Sequence, residues 1–214
     1  MNVESDSSNS ALGDGGHKGI NTLFPVFFKL EQLRVLLIGG GNVALEKLQA
    51  IVNNAPETKV TVVARAVFDS FKEEADKYGT ITIITGEYEP SYLDNCDLVI
   101  AAVNDIPTSE RIRSDAKQKG KLINVADKPE LCDFYLGSIV TKGNLKLAIS
   151  TNGKSPTVAK RLKEVFNELL PDELEEVLNN LQQIRNKLKG DFTSKVQQLN
   201  ELTKILIGEN KQDL

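Results

Sequence analysis

Histidine is nearly missing from this sequence: the one copy, His17, stands in an N-terminal stretch of Ser, Asn, Asp and Gly. From residue 21 onward no imidazole is available. That excludes Ser-His-Asp and Cys-His nucleophile systems and any zinc site built on histidine. Cysteine is scarce as well. Cys96 and Cys132 form no C-x-x-C pair and no disulfide framework, and read as packing or surface thiols of a reducing, cytoplasmic compartment. No apolar run approaches the roughly 20 residues that span a bilayer, which argues against a membrane partner. Residues 1–20 lack a basic stretch followed by an apolar one, so they read as a disordered tail and not as a secretory signal. Chemistry on this chain falls to carboxylates, hydroxyls, amines and a bound cofactor.

The net charge of −4 hides a split. Arg111 to Lys163 holds 12 Lys/Arg against 4 Asp/Glu, which leaves 14 basic and 26 acidic residues for the remainder. A solvated basic face is the usual origin of such a run, and a cleft for a polyanion is the functional one. Nucleic acid fits poorly, because the segment offers only Phe134 and Tyr135 for base stacking and no recognisable nucleic-acid module.

Hydrophobic patterning organises the chain. After the apolar entry Leu23-Phe24-Pro25-Val26-Phe27-Phe28, the run Arg34 to Gly39 reads as a strand buried on both faces. A helix follows with Val43, Leu48, Ile51 and Val52 apolar. Strands at 59–64, 80–85, 98–103 and 121–125 alternate with helices at 67–78 and from about Pro107 to Gln118. That alternation predicts a parallel sheet with right-handed crossovers. Between Phe134 and Ile149 two β-prone runs flank Thr141-Lys142-Gly143-Asn144, a hairpin signature. Ser155-Pro156 is an N-cap followed by proline at the first helical position, and Val158, Leu162, Val165, Phe166 and Leu169 recur at helical spacing. Pro171 ends that helix, acidic residues load the next N-terminus, and Gly190-Asp191 precedes a last helix expected to turn Val196, Leu199, Leu202 and Leu206 inward.

Gly39-Gly40-Gly41-Asn42-Val43-Ala44 matches G-x-G-x-x-A between strand and helix. The first glycine permits the tight turn, Gly41 admits a pyrophosphate to the backbone, and Ala44 lets the helix pack close. The helix N-terminus supplies free N–H groups to the anion. The ribose-binding acid expected at the end of the second strand is missing, and Ala64-Arg65-Ala66 stands there instead. Arg65 either faces an adenosine 2′-phosphate, which would favour NADP, or is a solvated loop residue.

Several stretches together resemble the precorrin-2 dehydrogenase/sirohydrochlorin ferrochelatase family, of the siroheme synthase N-terminal type. They are Leu23 to Phe27, Val35 to Glu46, Asn124-Val125-Ala126-Asp127, Phe134 to Ile139 and Leu147 to Pro156, running into Arg161-Leu162. The resemblance implies an α/β chain with a Rossmann-like sheet at 21–126, a β-hairpin dimerisation and active-site region at 127–154, and a helical domain at 155–214. It implies NAD-dependent oxidation of the tetrapyrrole precorrin-2 to sirohydrochlorin, with Fe²⁺ as a substrate in some members, and an intertwined homodimer; a lone carboxylate without histidines is only a transient metal contact, so no resident metal is expected. By position, Asn42, Val43, Arg65 and Ala66 line the dinucleotide, Asp127 matches the family's acidic residue, and Thr151 stands where some members carry serine. The basic Lys142 and Lys146 are candidates for the macrocycle's carboxylates. Read without the resemblance, Asp127 is a turn cap before Lys128-Pro129. The reading from another class is a non-catalytic nucleotide sensor, which would have no need of the basic region.

Overall fold

A computed structural model describes residues 21–188 and 191–203. The tail reading and Leu206 lie outside them. Five parallel strands, β1 (Arg34–Ile38), β2 (Lys59–Ala64), β3 (Ile81–Thr85), β4 (Leu98–Ala101) and β5 (Leu122–Val125), form one sheet in the order β3-β2-β1-β4-β5. Helices α1 (Asn42–Val52), α2 (Asp69–Ala75) and α3 (Ile106–Gln118) make the crossovers. This is the Rossmann-like arrangement expected from the alternation. Strand order reverses between β1 and β4, and in open α/β sheets such a switch point opens a crevice at the strands' C-terminal ends.

The central strands are apolar throughout because both faces are covered. Val35 and Leu37 of β1 pack with Leu48, Ile51, Val52 and Phe71 of α1 and α2 on one face. Leu36 and Ile38 pack with Ile112 and Ala116 of α3, and with Leu93 and Cys96, on the other. Each such fully buried side chain contributes about 1.5–3 kcal/mol relative to exposure. α3 looks polar in sequence, yet Ser109, Ile112 and Ala116 recur on one face and are all buried. Its N-cap Asp105 accepts from the Thr108 N–H at 2.8 Å.

Element ends differ from expectation where loops are tied down. The second helix starts at Asp69, not Val67, because the Phe68 N–H donates to the Gly40 carbonyl at 3.0 Å and holds the preceding residues against the glycine loop. Short 3₁₀ turns at Pro90–Asn95 and Pro129–Leu131 carry no periodic signal and were not expected.

At the sheet's other end, Asp97 grips Arg34 by its backbone N–H at 2.8 Å and by the guanidinium at 3.0 and 2.9 Å. The Arg34 side-chain hydrogen bond, with the backbone one, holds the Asp97 carboxyl down at about 2. A depressed carboxylate stabilises the fold fully above its unfolded value, and that contribution is lost as pH falls through the folded value. Asp97→Asn should therefore show a smaller loss of urea stability than wild type between about pH 5 and about pH 2. An unchanged acid limb would assign the acid sensitivity to other carboxylates.

The second half follows as a hairpin and three helices. Strands β6 (Ser138–Lys142) and β7 (Leu145–Ile149) pair antiparallel through the two-residue turn Gly143-Asn144, with Gly143 at φ +56°. A side chain there would collide with Glu175, whose carboxylate takes the Asn144 backbone and side-chain N–H groups at 2.6 Å each. Helix α4 (Pro156–Leu169) starts as read, with Ser155 capping the Val158 N–H at 3.2 Å. Helices α5 (Leu174–Lys187) and α6 (Phe192–Thr203) follow.

The apolar stripes here do not all turn inward. Ala159 is buried, but Val158, Leu162, Val165 and Leu169 on α4 are exposed. On α6, Leu199 is half-buried, whereas Val196 and Leu202, expected inward, are exposed. A helical period shows that a face is apolar and says nothing of which body covers it.

Candidate functional site

The loop after β1 is built from glycines with different reasons to be glycine. Gly39 has φ +128°, and a Cβ on it would lie 2.4 Å from the Ala102 carbonyl oxygen at the end of β4. A Cβ on Gly40 would lie 2.4 Å from the Ala66 carbonyl oxygen. Both are required by close approach of neighbouring backbone. Gly41 is not. It has ordinary extended dihedrals at the N-cap of α1, and a Cβ there would meet only the Phe68 ring, at 3.8 Å.

Such a Cβ would make only ordinary van der Waals contact, so neighbouring atoms do not require glycine at position 41. No side chain caps α1, and no acidic residue occupies its first turn. The first-turn N–H groups of Asn42, Val43 and Ala44 have no intrahelical acceptor, as at any helix N-terminus, and with the helix dipole they favour an anion. Ala44 is buried against the sheet, as the motif demands, while Asn42 is exposed beside the loop. Arg65 and Ala66 follow β2 directly, are exposed, and border the glycine loop through the Gly40–Ala66 contact. Arg65 points its guanidinium at Glu87, 3.3 Å away. Sequence reasoning missed Glu87, which lies just past β3 with no spacing to flag it.

Asp127 lies just past β5, and the Ala126 N–H before it donates to the Ala101 carbonyl of β4 at 2.8 Å. Its backbone is left-handed, φ +59°, and its side chain is exposed, with no hydrogen bond or ion pair to any described residue. It caps nothing, so the turn-cap reading fails on geometry. A non-glycine residue held at positive φ with no local hydrogen bond of its own is kept there by its surroundings.

Those surroundings are specific. Buried Asn124 donates to the Phe134 carbonyl at 2.8 Å, folding the chain back along β5. The Cys132 sulfur accepts from the Val125 N–H at 3.2 Å and lies 3.2 and 3.3 Å from the Val125 and Lys128 carbonyls. Burial pushes that thiol up, which keeps its S–H available as a donor. Asp133 accepts from the Ile123 N–H at 3.1 Å, Arg113 at 2.9 Å and Lys117 at 2.8 Å. Burial works to raise its carboxyl, but Lys117, the Ile123 N–H and Arg113 together hold it below the ordinary value. Lys128 reaches across to the Ser109 hydroxyl at 3.0 Å. The turn bearing Asp127 is thus fixed from both sides, by groups whose partners lie up to 20 residues away.

The other candidates lie on the second half. The Thr151 hydroxyl is engaged with Ser155, donating to its carbonyl and accepting from its N–H, both at 3.1 Å, in a loop with Asn152 and Gly153 left-handed. Lys142 is ion-paired with Asp172, and Lys146 donates to the Asn54 carbonyl in the turn after α1, at 2.7 Å. Both lysines hold the hairpin to neighbouring elements. The basic run is therefore not one free face. Among the described residues, Lys154, just before α4, and Lys160 and Lys163, in its first eight residues, are exposed cations with no ion pair. No group of three or more metal-ligating side chains gathers among the described residues, and no helix there is long and apolar enough to cross a membrane.

Comparison with known proteins matches residues 26–138 to the family described as "Putative NAD(P)-binding", and residues 142–166 to the family of the sirohaem biosynthesis protein central region. Siroheme synthase 2 of Cronobacter sakazakii is 35% identical over 170 residues, covering 79% of this chain and 36% of that protein. A siroheme synthase of Shigella boydii serotype 18 is 34% identical over the same shares. The chain spans about a third of the length of these curated relatives. Among solved structures, "SirC, precorrin-2 dehydrogenase" superposes with a TM-score of 0.65 at 24% identity, over 84% of this chain and 89% of that one, which establishes the shared fold. The first of these matches takes in more than half of the sequence, its glycine loop included, and this chain belongs to that family, the one described as "Putative NAD(P)-binding".

Proposed function

We propose that the chain oxidises precorrin-2 to sirohydrochlorin in sirohaem biosynthesis, with NAD⁺ as its cofactor. The observation that carries this reading is the pairing of two features along one sheet edge: an anion cradle at Gly41 and an unpaired carboxylate, Asp127, on a braced turn two strands away. The α1 N-terminus and Gly41 would hold the pyrophosphate, and Arg65 and Ala66 would border the adenosine end. When bound, NAD⁺ accepts a hydride. The chain's own residues do the rest. Asp127 takes the proton that the macrocycle loses together with the hydride, since the described residues hold no histidine to take it. The Cys132–Asp133 brace keeps that carboxylate in place.

The substrate is a polycarboxylate, which suits cations free of internal partners. Lys154, Lys160 and Lys163 fill that role better than Lys142 and Lys146. Replacing these three by Glu should raise the Michaelis constant for precorrin-2 several-fold more than that for NAD⁺, with the gap narrowing at high salt. Equal changes for both ligands would place the macrocycle elsewhere. Thr151, beside Lys154, shapes the loop they share.

Two further parts of the reading concern partners. A homodimer is supported by the exposed apolar stripe of α4 and by the entry segment, where Phe24 is 87% and Phe27 68% exposed. Fe²⁺ is a substrate for insertion into the product, not a resident metal. The two free, separate cysteines suit the cytoplasm. The test is an anaerobic assay with enzymatically generated precorrin-2, adding NAD⁺ and then Fe²⁺. Visible absorption should change on the first addition. No change, where an authentic dehydrogenase gives one, sinks the reading.

A further inference from the structure

We propose that Glu87 sets this chain's preference for NAD⁺ over NADP⁺ by holding the charge of Arg65. The inference rests on the reading of the glycine loop as a dinucleotide cradle. In the usual arrangement an acidic residue at the end of the second strand takes the ribose 2′-OH, and an arginine nearby accommodates a 2′-phosphate. This chain has the arginine, Arg65, directly after β2, and taken alone that would favour NADP⁺.

Arg65 does not stand alone. Its guanidinium lies 3.3 Å from the Glu87 carboxylate, which comes from the neighbouring strand end just past β3. The Gly86 N–H donates to the Ala64 carbonyl at 2.9 Å, so the two strand ends are tied together immediately before each member of the pair. A second cation on this side, Lys72, is paired with Asp69 at 3.1 Å. Lys72 also lines, with Ala66, Val67, Asp76, Ile83 and Thr85, a cavity of about 470 Å³ beside this edge. Asp105, the α3 N-cap, also lies within reach of the Arg65 charge. The adenosine end thus presents Glu87, Asp69, Asp76 and Asp105 against Arg65 and Lys72, each already paired, and against Lys128, which is held by the Ser109 hydroxyl at 3.0 Å. A 2′-phosphate brings nearly two more negative charges to that rim. It must draw Arg65 away from Glu87 and then sit beside the freed carboxylate. A neutral 2′-OH meets neither cost.

Both side chains are largely exposed, so a substitution at Glu87 leaves the core intact. The experiment measures binding by calorimetry, without turnover, using NAD⁺, NADP⁺ and the fragments 5′-AMP and 2′,5′-ADP on the full chain. Wild type should bind NAD⁺ at least several-fold more tightly than NADP⁺. Glu87→Gln should move the ratio toward NADP⁺ on the order of ten-fold, with 2′,5′-ADP gaining against 5′-AMP in parallel and the gain shrinking at high salt. Adding Arg65→Ala to Glu87→Gln should cancel the gain, since the released guanidinium is its source. A ratio within about two-fold of wild type in Glu87→Gln overturns the proposal, as does a gain that survives in the double variant. Equal affinities of wild type for both cofactors also overturn it. If wild type binds neither dinucleotide, the cradle reading falls first and takes this inference with it.

Discussion

Gly41→Asp should abolish dinucleotide binding and leave the protein folded, even slightly more stable. The two halves of that expectation have separate causes. Gly41 is the N-cap of α1, its dihedrals are open to any residue, and a Cβ there meets only the Phe68 ring at 3.8 Å. Aspartate is a preferred N-cap, better than glycine by a few tenths of a kcal/mol, and its charge is favourable beside the positive end of the helix dipole. The same carboxylate then uses the N–H groups that a pyrophosphate would take, and repels it. Charge-assisted hydrogen bonds contribute about 1.5–3 kcal/mol each, so losing two of them weakens NAD⁺ binding by about 100-fold or more. Calorimetry should show no NAD⁺ heat, while thermal unfolding gives an unchanged or higher Tm. Gly39→Ala is the contrasting case. Its Cβ would lie 2.4 Å from a backbone oxygen at a positive φ, so it should damage the fold itself. Wild-type affinity in Gly41→Asp would reduce the loop to a strand-to-helix connector.

How much of this was legible in the sequence depends on whether the cause is local. The runs at 34–38 and 98–101 read as strands because a sheet covered on both faces needs unbroken apolar residues, and the sequence shows them. The glycine loop was legible because its motif joins a turn, a close approach and a helix start within six positions. The hairpin turn and the Ser155 cap were visible for the same reason. What was not legible is long-range. Cys132 looks like any stray thiol, and only the fold brings it to Val125 and Lys128. Glu87 gains meaning only because β3 lies beside β2. The basic count from Arg111 to Lys163 could not reveal that Asp133 takes two of those charges, or that Asp172 takes Lys142. Likewise the apolar periods predicted α4 and α6 as helices, but the inward face expected of α6 is partly exposed at Val196 and Leu202, because a period does not say which body covers a face.

The largest effect on chemistry is expected from Asp127→Asn, which should cut dehydrogenation of precorrin-2 by about 10²- to 10⁴-fold, the range that a positioned acid or base supplies. The substitution tests chemistry almost alone. Asp127 is exposed, bonds to no described residue, and sits at φ +59°, where asparagine is as comfortable as aspartate. Stability and NAD⁺ affinity should therefore stay at wild-type values. Asparagine keeps the shape and one acceptor oxygen but cannot take the proton that leaves the macrocycle with the hydride. A loss in both kcat and kcat/KM with an unchanged KM for NAD⁺ is the expected signature, measured by single-turnover absorbance change under anaerobic conditions. The brace gives an internal comparison. Cys132→Ser loosens the turn without removing the carboxylate, so it should lose less activity than Asp127→Asn and keep the wild-type pH profile. Fe²⁺ insertion should be assayed separately in the same variants, because a carboxylate that accepts pyrrole protons would serve that step too. Full dehydrogenase activity in Asp127→Asn would move the base elsewhere and leave the left-handed turn without a chemical role.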